Sequence, residues 1–207
     1  WLKQLSDIAL FLIAFPLLLP IMAAIAYKIR KEEPNGSILF KQERLGKDDE
    51  TFVCYKFRTM AENGDELLEN YLKEHPEEVE AYAKYHKYEN DPRITRIGHF
   101  LRRTSLDELP QILNVFKGEM SFVGPRPERE YFVKQLEDLI PYYTIRHTVR
   151  PGITGWAQVC YGYGASVEDA VEKLNYDLFY IKNMSFFMDL MIVLRTIKIV
   201  LFRQGSR

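Results

Sequence analysis

Residues Ile8 to Tyr27, IALFLIAFPLLLPIMAAIAY, carry no charged side chain. As a helix, a run of about 20 apolar residues is long enough to span the hydrocarbon core of a bilayer. Any fold of this chain must either bury the segment whole or leave it to lipid. The flanks favour lipid, with Lys3 before the run and Lys28, Arg30 and Lys31 after it. A cleaved signal peptide fits poorly. Ala24-Ile25-Ala26 has the small-residue pattern of a cleavage site, but the run is too long and basic residues follow at once. Pro16 and Pro20 stand in its middle. Each lacks an amide hydrogen and clashes with the preceding turn, and in lipid the freed carbonyls need other partners. Two forms stay open. One is a transmembrane helix. The other breaks near Pro16, turns, and leaves on the side it entered, so that both basic flanks face one anionic leaflet.

The 207 residues suit one domain, or one domain plus an anchor, and the apolar run favours the second, divided as residues 1–31, inserted in the membrane, and 32–207, the body. A hydrophobic share of 47% supports a real core, and a net charge of −1 carries no polyelectrolyte signal, so no nucleic acid is expected. The aromatic share of 14% suits a membrane interface, although a large core would look similar. Cys54 and Cys160 are far apart and lack metal-ligand spacing, which predicts neither a disulfide nor a zinc site. The chain opens on Trp1 rather than Met, consistent with processing or with a longer parent.

Along the body, Ile38 to Thr59 reads as a hairpin, with Gly46-Lys47-Asp48-Asp49 as its turn. Lys56 and Arg58 share one strand face, and by themselves they read best as a solvated face. Glu62 to Asn90 reads as charged helix interrupted at Pro76, with Tyr82, Tyr85 and Tyr88 at helical spacing. Met184 to Arg207 is apolar but punctuated by Asp189, Arg195, Lys198 and Arg203. It fits an amphipathic helix lying in the interface or a helix packed on the protein's own core.

Between Arg93 and Arg150 arginines gather, and arginine's planar fork suits phosphate. Pro125 and Pro127 stiffen the loop around Arg126, so one guanidinium can be aimed at little entropic cost. Trp156, in VRPGITGWAQV, suits an interface or a stacking role. LRRTSLDELPQI, Leu101 to Ile112, adds two adjacent carboxylates. Ser105 and Glu108 fit a capping box at a helix start. Asp107 and Glu108 beside the arginines also suit Mg²⁺, which binds one or two carboxylates plus substrate phosphates. An aspartate with a pKa near ~4 is ionised at neutral pH and is a competent nucleophile without a base.

YKFRTM, DPRITRIGHFLRRTSLDELPQILNVFKGEMSFVGPRPE and VRPGITGWAQV, in this order behind a proline-containing apolar helix, resemble the bacterial sugar transferase family, the monotopic polyprenyl-phosphate phosphoglycosyl transferases. The resemblance runs from about Leu2 to the C-terminus. It implies an α+β, mostly helical fold, with a re-entrant membrane helix, a small hairpin and interfacial amphipathic helices around one catalytic domain. It implies transfer of a sugar 1-phosphate from a UDP-sugar to undecaprenyl phosphate, with Mg²⁺, at the cytoplasmic face of the bacterial inner membrane. In that scheme Asp107 is the nucleophile, and Glu108, with Asp107, holds the metal. Lys56, Arg102, Arg126 and Arg150 bind phosphate, and Asp189 is a further site member. Phe15-Pro16 replaces the Ser-Pro break of smaller members, and Cys160-Tyr161-Gly162-Tyr163-Gly164 replaces their Gly-Arg-Asn-like stretch, which removes one substrate-binding arginine. The tail from Tyr161 to Asn183 looks more like exopolysaccharide-initiating members. Homo-oligomer formation is left open. The competing reading is a non-catalytic membrane scaffold or sensor that holds lipid phosphates in a polysaccharide assembly complex.

Overall fold

The computed structural model describes residues 2–75, 91–162, 164 and 166–202. Helix α1 (Leu2–Glu32) is one continuous element with Pro16 and Pro20 inside it, rather than two helices parted by a turn. The missing proline amides leave the carbonyls of Leu12 and Pro16 without their usual helical donors. Among the described residues α1 is the one helix long and apolar enough to cross a membrane. If straight it would measure roughly 45 Å, yet both its ends lie against the same body. Near its start Phe11 is buried and stacks on Phe116 at 4.9 Å between ring centres. Near its end Ile25 and Ile29 pack with Phe57 and Leu101. Between them Leu12, Ile13, Leu17, Leu19 and Ile21 are exposed.

The hairpin forms where expected. β1 (Leu39–Leu45) pairs antiparallel with β2 (Thr51–Phe57), Leu39 opposite Phe57 and Leu45 opposite Thr51. Its turn places Asp48 and Asp49 at φ 55° and 62°, a left-handed region that Asp tolerates better than most residues. Phe52 and Cys54 are buried from one side of β2, and Phe57 is buried against α1 from the other. α2 (Gly64–Glu74) starts the charged helix. The expected interruption at Pro76, with Tyr82, Tyr85 and Tyr88, lies outside the described residues.

α3 (Arg96–Thr104) runs into a 3₁₀ segment, Leu106–Gln111, and then into the short α4 (Ile112–Phe116). β3 (Ser121–Val123) follows, then α5 (Glu130–Leu139) and a second 3₁₀ segment, Tyr143–Thr148. β4 (Gly152–Thr154) returns parallel to β3, an element that periodicity did not announce. α6 (Trp156–Cys160), α7 (Val167–Lys182) and α8 (Phe186–Phe202) complete the body. The fold of the described residues is therefore mostly helical α+β, with two small two-stranded sheets.

Among the described residues four small apolar clusters take the place of one large core. α8 contributes Met188 and Ile192 to the cluster around Val123 and Tyr180. Its opposite strip, Phe187, Leu190, Leu194 and Ile197, is exposed. The helix thus packs on the protein's own core while presenting a second apolar face outward. Trp156 stacks on Phe179, and the Arg195 guanidinium lies 4.8 Å from the Trp156 ring centre.

Candidate active site

β2 carries Lys56 into the interior. Its side chain shares the strand face of Phe52 and Cys54, and Nζ donates to Glu108 Oε1 at 2.7 Å. Lys56 is only 20% exposed and Arg58 only 18%, so the expected solvated face is not there. The strand is held by Asn114, which is fully buried in α4. Its side-chain oxygen accepts from the Tyr55 amide at 3.1 Å and its amide group donates to the Val53 carbonyl at 2.7 Å. Asn114 thereby acts as one residue of a neighbouring strand.

The carboxylate pair sits in the 3₁₀ segment rather than in an α-helical first turn. α3 ends at Ser105, whose φ of 55° reverses the chain. Three residues per turn point adjacent side chains about 120° apart, so Asp107 and Glu108 diverge. The expected capping box between Ser105 and Glu108 is absent. Ser105's side chain caps nothing, and Glu108's carboxylate is taken by Lys56 and Arg126. A complete capping box forms instead at Ser166 and Asp169, opening α7.

Arg126 reaches Glu108 with both terminal nitrogens, Nη2 to Oε1 at 2.6 Å and Nη1 to Oε2 at 3.2 Å. Two contacts hold its loop. Arg146 Nη2 donates to the Arg126 carbonyl at 2.9 Å. Gly124 lets the chain pass so close to β4 that a Cβ there would lie 2.4 Å from the Arg150 carbonyl oxygen. Arg146 is itself sealed against Asp177 at 2.9 Å and donates to the Tyr143 hydroxyl at 2.6 Å.

The two acids respond oppositely to this surrounding. Burial pushes Glu108 up, but the charges and hydrogen bonds of Arg126 and Lys56 outweigh it and hold its pKa at about 2. Asp107 moves the other way. Burial raises its pKa above the usual aspartate value, the neighbouring Glu108 charge adds to the rise, and Lys56 and Arg102 only partly offset it. The expectation of an ordinary aspartate is thus corrected upward, because Glu108 rather than Asp107 engages the nearest cations. Among the described residues Asp107's carboxylate has no side-chain hydrogen bond; its own backbone amide is its hydrogen-bond partner. Arg102, steered by its Nε bond to Thr59 Oγ1 at 2.9 Å, places its charge beside Asp107.

The remaining predicted residues lie apart from this knot. Arg150 has no hydrogen-bond or ion-pair partner among the described residues, and its guanidinium lies beside Gly118. Asp189 accepts from Lys3 Nζ at 2.6 Å and from the Tyr180 hydroxyl at 2.7 Å, so its contacts are with α1 and α7 rather than with the other site residues.

A profile of the family described as bacterial sugar transferase matches residues 1–203. The chain belongs to that family. It is 42% identical over 207 residues to a UDP-N-acetylgalactosamine-undecaprenyl-phosphate N-acetylgalactosaminephosphotransferase of Aeromonas hydrophila, covering all of this chain and 45% of that protein. It is 39% identical over 201 residues to the exopolysaccharide production protein ExoY of Rhizobium meliloti, covering 97% of this chain and 84% of that one. To a UDP-glucose:undecaprenyl-phosphate glucose-1-phosphate transferase of Escherichia coli it is 39% identical over 198 residues, covering 95% and 39%. The chain thus spans less than half the length of the first and third of these relatives and most of the second.

In this bacterial sugar transferase no group of three or more His, Cys, Asp or Glu side chains among the described residues forms a cage for a metal. The donor set nonetheless fits Mg²⁺, which takes one or two protein carboxylates and completes its shell with phosphate and water. Asp107 keeps free lone pairs, and Glu108 Oε2 carries only the longer of its Arg126 contacts. Three functional supports escaped the sequence reading: Thr59, Asn114 and the Arg146–Asp177 pair. For Asn114 a signal existed, since it is the lone polar residue in the run Ile112 to Phe116.

Proposed function

We propose that the chain transfers a sugar 1-phosphate from a UDP-sugar to undecaprenyl phosphate, giving a polyprenyl diphosphate sugar and UMP, through a covalent intermediate on Asp107. The observation that carries this reading is the divergence of two adjacent carboxylates. Glu108 is held in an ion pair with Lys56 and Arg126, while Asp107, beside Arg102, has no ion-pair partner among the described residues. The names of the relatives support it, since they combine nucleotide sugars with undecaprenyl phosphate.

In the first step a carboxylate oxygen of Asp107 bonds to the phosphorus that bears the sugar. The bond from that phosphorus to the bridging oxygen breaks, and its electron pair leaves with UMP. In the second step a terminal oxygen of undecaprenyl phosphate attacks the same phosphorus. The bond to Asp107 breaks and the carboxylate is restored, so no proton transfer is required. The upward pKa of Asp107 makes its ionised form the more basic, and so the better nucleophile. Arg102, Arg126 and Lys56 take the phosphate oxygens, and Arg150, which has no partner among the described residues, extends that surface. Mg²⁺, held by Glu108 with Asp107, neutralises diphosphate charge when bound.

The anchor fits a re-entrant rather than a spanning path. Both ends of α1 pack on one small body, which a straight crossing would place on opposite faces of the bilayer. The exposed strip of α8 supports a seat at a membrane interface, and on the proposed reaction that interface is the cytoplasmic face of the inner membrane, where the chain would start exopolysaccharide or glycoconjugate synthesis. The test is the mass of the purified chain after mixing with UDP-sugars and Mg²⁺ but no lipid acceptor, followed by an acid quench. A sugar-phosphate adduct on the peptide holding Asp107 is expected. Full transfer by Asp107→Asn would refute the nucleophile.

A further inference from the structure

The two ends of α1 each end in a carboxylate that grips the backbone of another element. Near the start, Asp7, 8% exposed, accepts from Ser121 Oγ at 2.9 Å and from the Phe122 amide at 3.2 Å. Both belong to β3, which continues through Gly124 and Pro125 into Arg126. At the other end, Glu32 accepts from the Arg96 amide at 2.7 Å and the Ile97 amide at 3.0 Å. These are the first two amides of α3, the helix that carries Arg102 and delivers Asp107.

Amide accounting shows what Glu32 does for α3. The first four amides of a helix have no partner within it. Thr95 provides for the third and fourth, its Oγ1 accepting from Gly98 at 3.0 Å and its carbonyl from His99 at 3.0 Å. Glu32 supplies the acceptors for the first two from a different helix. An anion there also meets the positive end of the α3 dipole. Asp7 is the more telling of the pair. A carboxylate buried at the start of an apolar helix is costly unless it is hydrogen-bonded, and Ser121, which bonds it, is itself fully buried. Between the two grips, Ile25 and Ile29 join Phe57 and Leu101 in the cluster against which Leu106 and Leu109, the residues that flank the carboxylate pair, are packed.

We propose that Asp7 and Glu32 are positioning residues. Through them the membrane helix sets the spacing between the two segments that meet at the site, β3 with Arg126 and α3 with Arg102 and Asp107. α1 is then a structural wall of the active site as well as its anchor. Asp7 and Glu32 touch no reacting atom; they act through β3 and α3. The inference rests on the proposed transfer reaction for its kinetic readout, and on amide exchange for a readout that needs no turnover.

The experiment uses the full chain in nanodiscs with Mg²⁺, a panel of UDP-sugars and undecaprenyl phosphate, comparing wild type with Asp7→Leu, Asp7→Asn, Glu32→Leu and Glu32→Gln. Amide exchange is followed by mass spectrometry on the same samples. Losing hydrogen bonds to a charged group should lower kcat of the leucine variants by about ten- to a hundredfold, with the donor KM within about twofold of wild type. Asp7→Asn and Glu32→Gln keep one acceptor oxygen and should recover part of that loss. Exchange should rise at the clamped amides and also in the segments 106–108 and 124–126. A rise confined to Arg96, Ile97 or Phe122, with kcat and the site segments as in wild type, would overturn the proposal. A uniform rise across the chain would also overturn it, since that is loss of fold rather than of position. Absence of transfer by the wild type would count against the proposed reaction alone, and exchange at the site segments would then decide the clamp.

Discussion

Arg126 meets Glu108 with its own side chain 42% exposed, whereas Arg146, one hydrogen bond away, meets Asp177 with the two side chains 6% and 3% exposed. The partners are the same chemically, and burial separates their roles. In the open pair water and neighbouring Lys56 remain to compensate the carboxylate, so on the proposed reaction Arg126 can release Glu108 for a substrate phosphate. In the sealed pair neither partner can leave without stranding a charge in the interior, which is far costlier than the pair's own attraction suggests. A movable pair can thus take part in binding, while a fixed pair can only hold the loop from which the movable arginine projects.

The comparison breaks first at the proposed nucleophile. Asp107→Asn removes the ionisable oxygen and keeps the shape, so turnover should fall on the order of 10⁴-fold, as when one member of a nucleophilic unit is lost. Stability should hold or rise slightly, because ionised Asp107 opposes folding and Asn carries no charge, which thermal melting checks. Next comes the sealed pair, where Asp177→Leu alone should cost ~3–5 kcal/mol of unfolding free energy in denaturant titration. The double replacement Arg146→Met with Asp177→Leu should recover most of it. If the single and double variants melt alike, the sealed pair is not the loop's support.

Acid sharpens the contrast. Glu108's folded pKa lies at about 2, below its ordinary 4.5, so its ion pair adds stability above pH 4.5 that is lost as pH falls toward 2. The stability advantage of wild type over Glu108→Gln should shrink across that window. Asp107 has the opposite sign. Its pKa is raised in the folded protein, so ionising it opposes folding, and the acid limb of kcat/KM should lie above 3.8, the ordinary aspartate value. A limb at or below that value would contradict the burial of Asp107. The smallest effect is expected from Arg126→Lys, which keeps the charge but loses the fork. A fall of roughly 10- to 100-fold in kcat/KM with an unchanged melting temperature would fit an open, bidentate contact.

Much of the architecture was legible because it rests on local rules. The apolar run, the alternation of β2 and the Gly-Lys-Asp-Asp turn are each set by neighbours within a few residues, and α1 and the hairpin follow them. The same strand also held an unread sign. Phe52 and Cys54 share the parity of Lys56, so an apolar pair already marked that face as the inner one. Ser105-Glu108 failed as a capping box for a non-local reason. Lys56 lies 52 positions away in the chain, yet its ammonium and the Arg126 guanidinium outbid one backbone amide for the Glu108 carboxylate. The Arg146–Asp177 pair was beyond reach for the same cause, since neither residue belongs to a motif and only their burial together identifies them.

The sequence by itself determined that this chain has a lipid-seeking helix, a hairpin, and a carboxylate pair amid arginines, because periodicity, turn chemistry and residue type act over short distances. Only the tertiary structure decided which acid is paired and which is free. That choice depends on which cations the fold brings within 3 Å and how much water it leaves beside them, and both are properties of the assembled chain.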